Sequence, residues 1–194
     1  AVAMVQAFGG PDEKMGEEVI NLWATVLQAI PNSRLLLKYW DHYSEPLMRE
    51  RTIKRFKEYN ISKECLILHA AHDTQLDHLI SYHQVDIALD PFPFNGATTT
   101  YEALIMGVPV ITLKGDHFVS RVSTSLVSHI GHPEFAAKSH AKYVSIAKDL
   151  TNNIDNLNSI RQNLRQQFLN SALCNGTVYT KNVEIAFRNM WHTW

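Results

Sequence analysis

Short β-prone runs alternate along the chain with amphipathic helical segments, and this alternation constrains the fold more than any other feature. Residues 1–8 (AVAMVQAF) form the first run and end in Gly9-Gly10-Pro11, a turn cluster. Over 14–30, Val19, Ile20, Leu22, Trp23, Val26, Leu27 and Ile30 follow helical spacing until Pro31-Asn32-Ser33 stops the helix. The runs 35–40 (LLLKYW), 65–70 (CLILHA), 85–89 (VDIAL) and 108–113 (VPVITL) are predicted strands. Helices are predicted over 45–59, 74–83, 98–106 and 118–130. Asp73 is placed to cap the second of these, and Gly107 to close the third as a C′ glycine. After Gly131 a weak strand candidate at 135–137 is followed by helical stretches at 141–150, 154–170 and 179–194.

Strands separated by single helices read as right-handed βαβ units around a parallel sheet. The expected fold class is therefore α/β, a doubly wound, Rossmann-like sheet with a helical C-terminal tail. The 194 residues are expected to make one domain, an α/β core over about 1–138 followed by C-terminal helices over 139–194. Eighteen Lys+Arg against nineteen Asp+Glu leave a net charge of −1, without the basic excess that nucleic-acid binding requires. No apolar run approaches the roughly 18 residues that span a bilayer, and the first residues lack a basic signal-peptide region. Two cysteines make a disulfide framework unlike this chain, so no membrane and a reducing, cytoplasmic setting are expected. Ala1 already stands inside a strand-like run, as in a piece of a longer protein.

In an open parallel sheet, ligands sit at the carboxyl ends of the strands. Three strand-end loops carry suitable polar groups. In Asn95-Gly96-Ala97-Thr98-Thr99-Thr100, the glycine permits a tight turn into a helix whose first amides and hydroxyls could cradle a phosphate or diphosphate. Plain helix capping by the threonines is the competing reading. Glu102 is read in the first turn of the same helix, either as a bidentate acceptor for a ribose diol or as a carboxylate answering the helix dipole. Gly9-Gly10 with Lys14 occupies the loop where this fold places phosphate contacts. The third loop holds His69, His72, Asp73 and, on the following helix, His78. The H-x-x-H spacing of His69 and His72 invites a metal reading, but a strand-to-loop boundary separates their directions and no cysteine joins them. No Asp-x-Asp pair is present to hold Mg²⁺ against a diphosphate. No metal and no cofactor are expected, and a diphosphate would be neutralised by Lys14 and helix amides.

The run DIALDPFPFNGATTTYEALIMGVPVITL over 86–113 resembles the donor-site segment of the O-linked N-acetylglucosamine transferase family, which includes the plant SPINDLY proteins. The resemblance continues through KGDHFVSRV at 114–122, Ala137-Lys138 and FRNMW at 187–191, and reaches back to Lys14, Trp23 and Pro31-Asn32-Ser33. It implies a GT-B glycosyltransferase, of which this chain is the C-terminal, nucleotide-sugar-binding half. It also implies metal-independent, inverting transfer onto a Ser or Thr hydroxyl of a protein acceptor. By that resemblance Lys14 meets the leaving diphosphate and is the catalytic residue, while Thr98 and Thr99, with Thr100, Gly96 and Asn95, hold the same phosphates. Glu102 takes the ribose, His78 packs near the base, and His72 with Asp73 borders it. Mammalian-type members carry His-Thr-Thr where Ala97-Thr98-Thr99 stands, which brings this chain nearer the SPINDLY pattern. UDP-GlcNAc is the leading expected donor, with GDP-fucose as the alternative. A nucleotide-binding module without catalysis of its own is a third reading, because the acceptor-side half and tetratricopeptide repeats of the family would lie outside this chain.

Overall fold

Six parallel strands stack in the order β3-β2-β1-β4-β5-β6: β1 (Val2–Gln6), β2 (Arg34–Lys38), β3 (Leu66–His69), β4 (Ile87–Leu89), β5 (Val110–Leu113) and β6 (Ala136–Ala137). The computed structural model describes residues 2–6 as backbone, and residues 15–69 and 74–194 with their side chains. Gly9, Gly10, Pro11, Lys14, His72 and Asp73 lie outside the described residues. The helices are α1 (Glu17–Ala29), α2 (Pro46–Lys57), α3 (Gln75–Ile80), α4 (Thr98–Ile105), α5 (Val122–His129), α6 (His140–Asn152), α7 (Ile154–Asn170) and α8 (Gly176–Thr193). This is the doubly wound α/β sheet that the alternation of periods predicts.

The strand sequences explain their position. Leu35, Leu36 and Leu37 on β2 are all buried, as are Val110, Ile111 and Thr112 on β5. An unbroken apolar run suits a parallel strand covered on both faces, where alternation would leave polar groups inside. Helix α1 buries Val19, Ile20, Leu22, Trp23, Val26 and Leu27 along one face and packs beside α6. Helix α6 in turn buries Tyr143, Ile146, Ala147 and Leu150 and touches β5 and β6. The stretch from 139 onward is therefore not a detached tail: α6 completes the helical cover of the sheet, and α7 packs on α4. Helix α8 has no buried residue.

Several local boundaries differ from the sequence expectation, each for a visible reason. Thr74, not Asp73, caps α3: its hydroxyl accepts the Asp77 amide at 3.2 Å while Asp77 Oδ2 accepts the Thr74 amide at 3.2 Å. That helix is also shorter than 74–83, passing into a 3-10 turn over Ser81–Gln84. The expected helix over 118–130 is split because Ser120 Oγ accepts the His117 amide and donates back to its carbonyl, winding Phe118–Ser120 into a 3-10 turn. Helix α1 begins at Glu17 rather than near Lys14, after Gly16 in extended conformation (ψ 164°).

Gly107 ends α4 as expected. At φ +74° it forms a Schellman closure, its amide bonding the Leu104 carbonyl at 3.1 Å and the Val108 amide bonding Ala103 at 2.8 Å. An added Cβ would lie 2.7 Å from the Arg161 carbonyl oxygen. Gly107→Ala combines left-handed strain with this collision, and is expected to lower unfolding free energy by about 2 kcal/mol or more in urea titrations.

Candidate functional site

Strand order departs from β1 in both directions, through β2 and β3 on one side and β4 to β6 on the other, so the crevice lies between β1 and β4. Backbone pairing of Ala3 with Ile87 and Met4 with Ala88 holds the two central strands together. The loop leaving β4, residues 90–97, and the mouth of α4 form one wall. Helix α3 with its following turn forms another.

Asp90 organises the first wall. The residue is 4% exposed; its Oδ1 accepts the Gly96 amide at 2.7 Å and its Oδ2 accepts the Thr112 hydroxyl of β5 at 2.6 Å. The Tyr143 hydroxyl donates to the Asp90 carbonyl at 3.1 Å. Asn95 turns inward, its Nδ2 donating to the Pro91 carbonyl at 3.0 Å and its amide to Val119 at 3.0 Å. The loop thus closes on itself and delivers Gly96 beneath the helix mouth. A Cβ on Gly96 would meet Thr100 Oγ1 at 2.7 Å, Thr99 Oγ1 at 2.8 Å and Asp90 Oδ1 at 3.1 Å, so the turn admits no side chain.

The three threonines divide their work. The N-cap is Ala97, with no side-chain cap, so the competing capping role falls away. Ser123 gives its proton to the Gly96 carbonyl at 3.0 Å, so Thr100 donates to Ser123 across 2.9 Å. Thr100 and Asn95 therefore brace the loop from inside. Thr98 is exposed at the mouth, and Thr99 lies just beneath it. The first amides of an α-helix lack intrahelical acceptors, and here they open beside Thr98 at the positive end of the dipole.

Glu102 stands one residue beyond the first turn rather than within it, so side-chain partners replace the dipole as its anchor. His78 Nε2 lies 3.1 Å from Glu102 Oε2, and the Tyr82 hydroxyl shares its single proton between the same oxygen, at 3.4 Å, and the Thr99 carbonyl, at 3.2 Å. A carboxylate has no proton to give, so Nε2 of His78 carries the hydrogen. The rings of His78 and Tyr82 meet edge-on at 5.8 Å. Both contacts fall on Oε2, and Oε1 makes no hydrogen bond to any described residue. Burial first, then the Glu102 charge, push the Tyr82 phenol far above its ordinary range. Lys38, buried at the end of β2, donates to Ser81 Oγ at 3.4 Å, and Ser81 donates to the His78 carbonyl at 2.6 Å. Between the walls a gap of about 20 Å³ is lined by Tyr82, Asp90, Thr99 and Thr100, room for about one water molecule.

The structure thus brings together Gly96, Thr98, Thr99, His78 and Glu102, and it adds Asp90, Tyr82 and Ser123, which the sequence did not single out. Asp90-Pro91 at a strand end was the available signal for the first of these. Lys14, His72 and Asp73 fall outside the described residues. Among the described residues no group of three or more His, Cys, Asp or Glu side chains could hold a metal, and no helix is long and apolar enough to cross a membrane.

Residues 12–183 match the model of glycosyl transferase family 41. Over 179 residues the chain is 35% identical to a Hordeum vulgare protein named "Probable UDP-N-acetylglucosamine–peptide N-acetylglucosaminyltransferase SPINDLY", covering 92% of this chain and 19% of that protein. A Caenorhabditis elegans UDP-N-acetylglucosamine–peptide N-acetylglucosaminyltransferase is 27% identical over 178 residues, 92% of this chain and 15% of that one. A solved structure of a Thermobaculum terrenum O-GlcNAc transferase mutant superposes with a TM-score of 0.88 at 32% identity, covering 98% of this chain and 36% of that one. The chain spans about a fifth of the length of the curated SPINDLY relatives it matches.

Two outcomes are expected from the site's geometry. Gly96→Ala must displace two threonine hydroxyls, and is expected to cost about 1–3 kcal/mol in denaturant unfolding. Tyr82 and Tyr143 are both held protonated by burial, with Glu102 and Asp90 respectively adding to the effect. The unfolded chain releases those protons near tyrosine's ordinary pKa of 10.0 while the folded chain keeps them. Their contribution is therefore complete below that pH and lost above it, at about 1.4 kcal/mol per pH unit for each tyrosine. Unfolding free energies measured between about pH 9 and about pH 11 should fall, and fall less steeply in Tyr143→Phe.

Proposed function

The chain belongs to glycosyl transferase family 41, and from that premise we propose that it is the donor-binding half of a protein O-glycosyltransferase. The donor is a nucleotide sugar, UDP-GlcNAc first, and the acceptor a Ser or Thr hydroxyl of a protein. The observation that carries this reading is the helix mouth at the switch point, where Gly96 and uncapped α4 amides lie beside Thr98 and Thr99. Such a mouth suits a diphosphate. Glu102 on α4 and His78 on α3, hydrogen-bonded to each other across the two walls, suit a ribose and a base.

Departure of a nucleoside diphosphate builds negative charge, and preorganised donors lower that barrier without reorganising. In this reading Lys14 supplies the cation and the helix mouth supplies the dipoles, so no divalent metal or cofactor is required. His72 and Asp73 border the base. Thr100 and Asn95 act from behind, by fixing the loop. The acceptor-side half and the tetratricopeptide repeats would come from the remaining length of a longer protein, so the chain itself binds donor without completing transfer. Ala97, in place of the histidine that mammalian-type members carry, supports a second donor, GDP-fucose.

Calorimetry with UDP, GDP, UDP-GlcNAc and GDP-fucose tests the reading and separates the donors. One nucleotide pair should bind, unaffected by EDTA, and Thr98→Ala and Lys14→Ala should each weaken it about tenfold or more. Binding of neither pair, or equal binding by both variants, would contradict the assignment.

A further inference from the structure

Tyr82 is 2% exposed, and its ring would serve the core as well if it were phenylalanine. Its hydroxyl is what phenylalanine lacks, and two of the acceptors it reaches belong to α4. One is the Thr99 carbonyl in the first turn of that helix, at 3.2 Å; the other is Glu102 Oε2, at 3.4 Å. The Thr99 carbonyl keeps an acceptor lone pair beyond its own helix bond, so the contact adds no intrahelical competition. His78 reaches the same Glu102 oxygen from one turn earlier, at 3.1 Å. Two donors on one oxygen restrain the carboxylate's rotation and leave Oε1 with no hydrogen bond to any described residue. The Glu102 side chain is 20% exposed, so a ligand hydroxyl can approach it.

We propose that Tyr82 is a positioning residue for the nucleotide ribose: with His78 it fixes Glu102 through Oε2, so that Oε1 accepts a bond from a ribose hydroxyl. The inference rests on the reading of Glu102 as the ribose contact. It goes further by giving a residue buried away from the ligand a share in sugar recognition. The same hydroxyl ties the turn after α3 to the mouth of α4 through Thr99.

The test compares UDP and GDP with their 2′,3′-dideoxy analogues by calorimetry, on the wild-type chain and on Tyr82→Phe. Wild type should bind the ribonucleotide at least about fivefold more tightly than its dideoxy analogue. In Tyr82→Phe that preference should largely vanish, through weaker ribonucleotide binding at unchanged dideoxy affinity. Equal losses for both ligands would reveal a merely structural tyrosine and overturn the proposal, as would full retention of the preference. A wild-type chain that does not distinguish the ligands, or binds neither nucleotide, would instead overturn the reading of Glu102 on which the proposal stands. If Tyr82→Phe fails to fold, wild-type chain labelled with ¹³C at tyrosine Cζ supplies the second measurement. The Tyr82 resonance should shift with the ribonucleotide and stay in place with the dideoxy analogue; the same shift with both would overturn the proposal.

Discussion

The grip of Asp90 on two neighbours governs the geometry of the crevice. Burying a carboxylate costs several kcal/mol unless charge-assisted hydrogen bonds offset it. Here the offset comes from the Gly96 amide at 2.7 Å and the Thr112 hydroxyl at 2.6 Å, both within the short range of strong bonds. One partner lies six residues ahead in the same loop, and the other on the adjacent strand. The loop can therefore neither lengthen nor slide along the sheet edge. From the opposite side the relay from Thr100 through Ser123 to the Gly96 carbonyl pins the same residue to α5. Between these restraints the axis of α4 is fixed relative to the strands, and with it the direction in which its first amides point.

A division of chemistry follows from that fixed helix. Its mouth offers hydrogen-bond donors, while its second turn, four residues on, offers a carboxylate. A nucleoside diphosphate presents the complementary order, with acceptors at the phosphates and donors at the sugar. The chain as a whole carries a charge of only −1, so under the proposed reading attraction for an anion would be local rather than a property of a basic face. Burial supports this locality, since the hydroxyls of Thr100 and Ser123 are spent on the loop and cannot compete for the ligand.

Much of this was legible in the sequence because hydrophobic period reports burial directly. All six strands and the major helices were recovered from it, and Gly107 closes its helix as its position implied. The errors have a common origin in bonds between side chains and the backbone. Thr74 takes the cap because Asp77 completes a capping box with it. Ser120 folds its own neighbours into a tighter turn. Glu102 falls outside the first turn because the helix starts after Ala97, with no polar cap to mark the place. The braces were hidden for a different reason. Asp90 meets Thr112, Thr100 meets Ser123 and Tyr143 meets Asp90 across long stretches of chain, and no local pattern encodes such pairs.

The central pairing of the sheet carries one more consequence. β1 pairs with β2 close by in sequence, but Ala3 meets Ile87 only after two strands and three helices have intervened. Closing so long a loop is entropically the costliest step among these strand pairings. The crevice lies on that seam, so a partly assembled chain has no crevice. A nucleotide seated there would act as a clasp across the junction, favouring the completed topology over every open form by mass action.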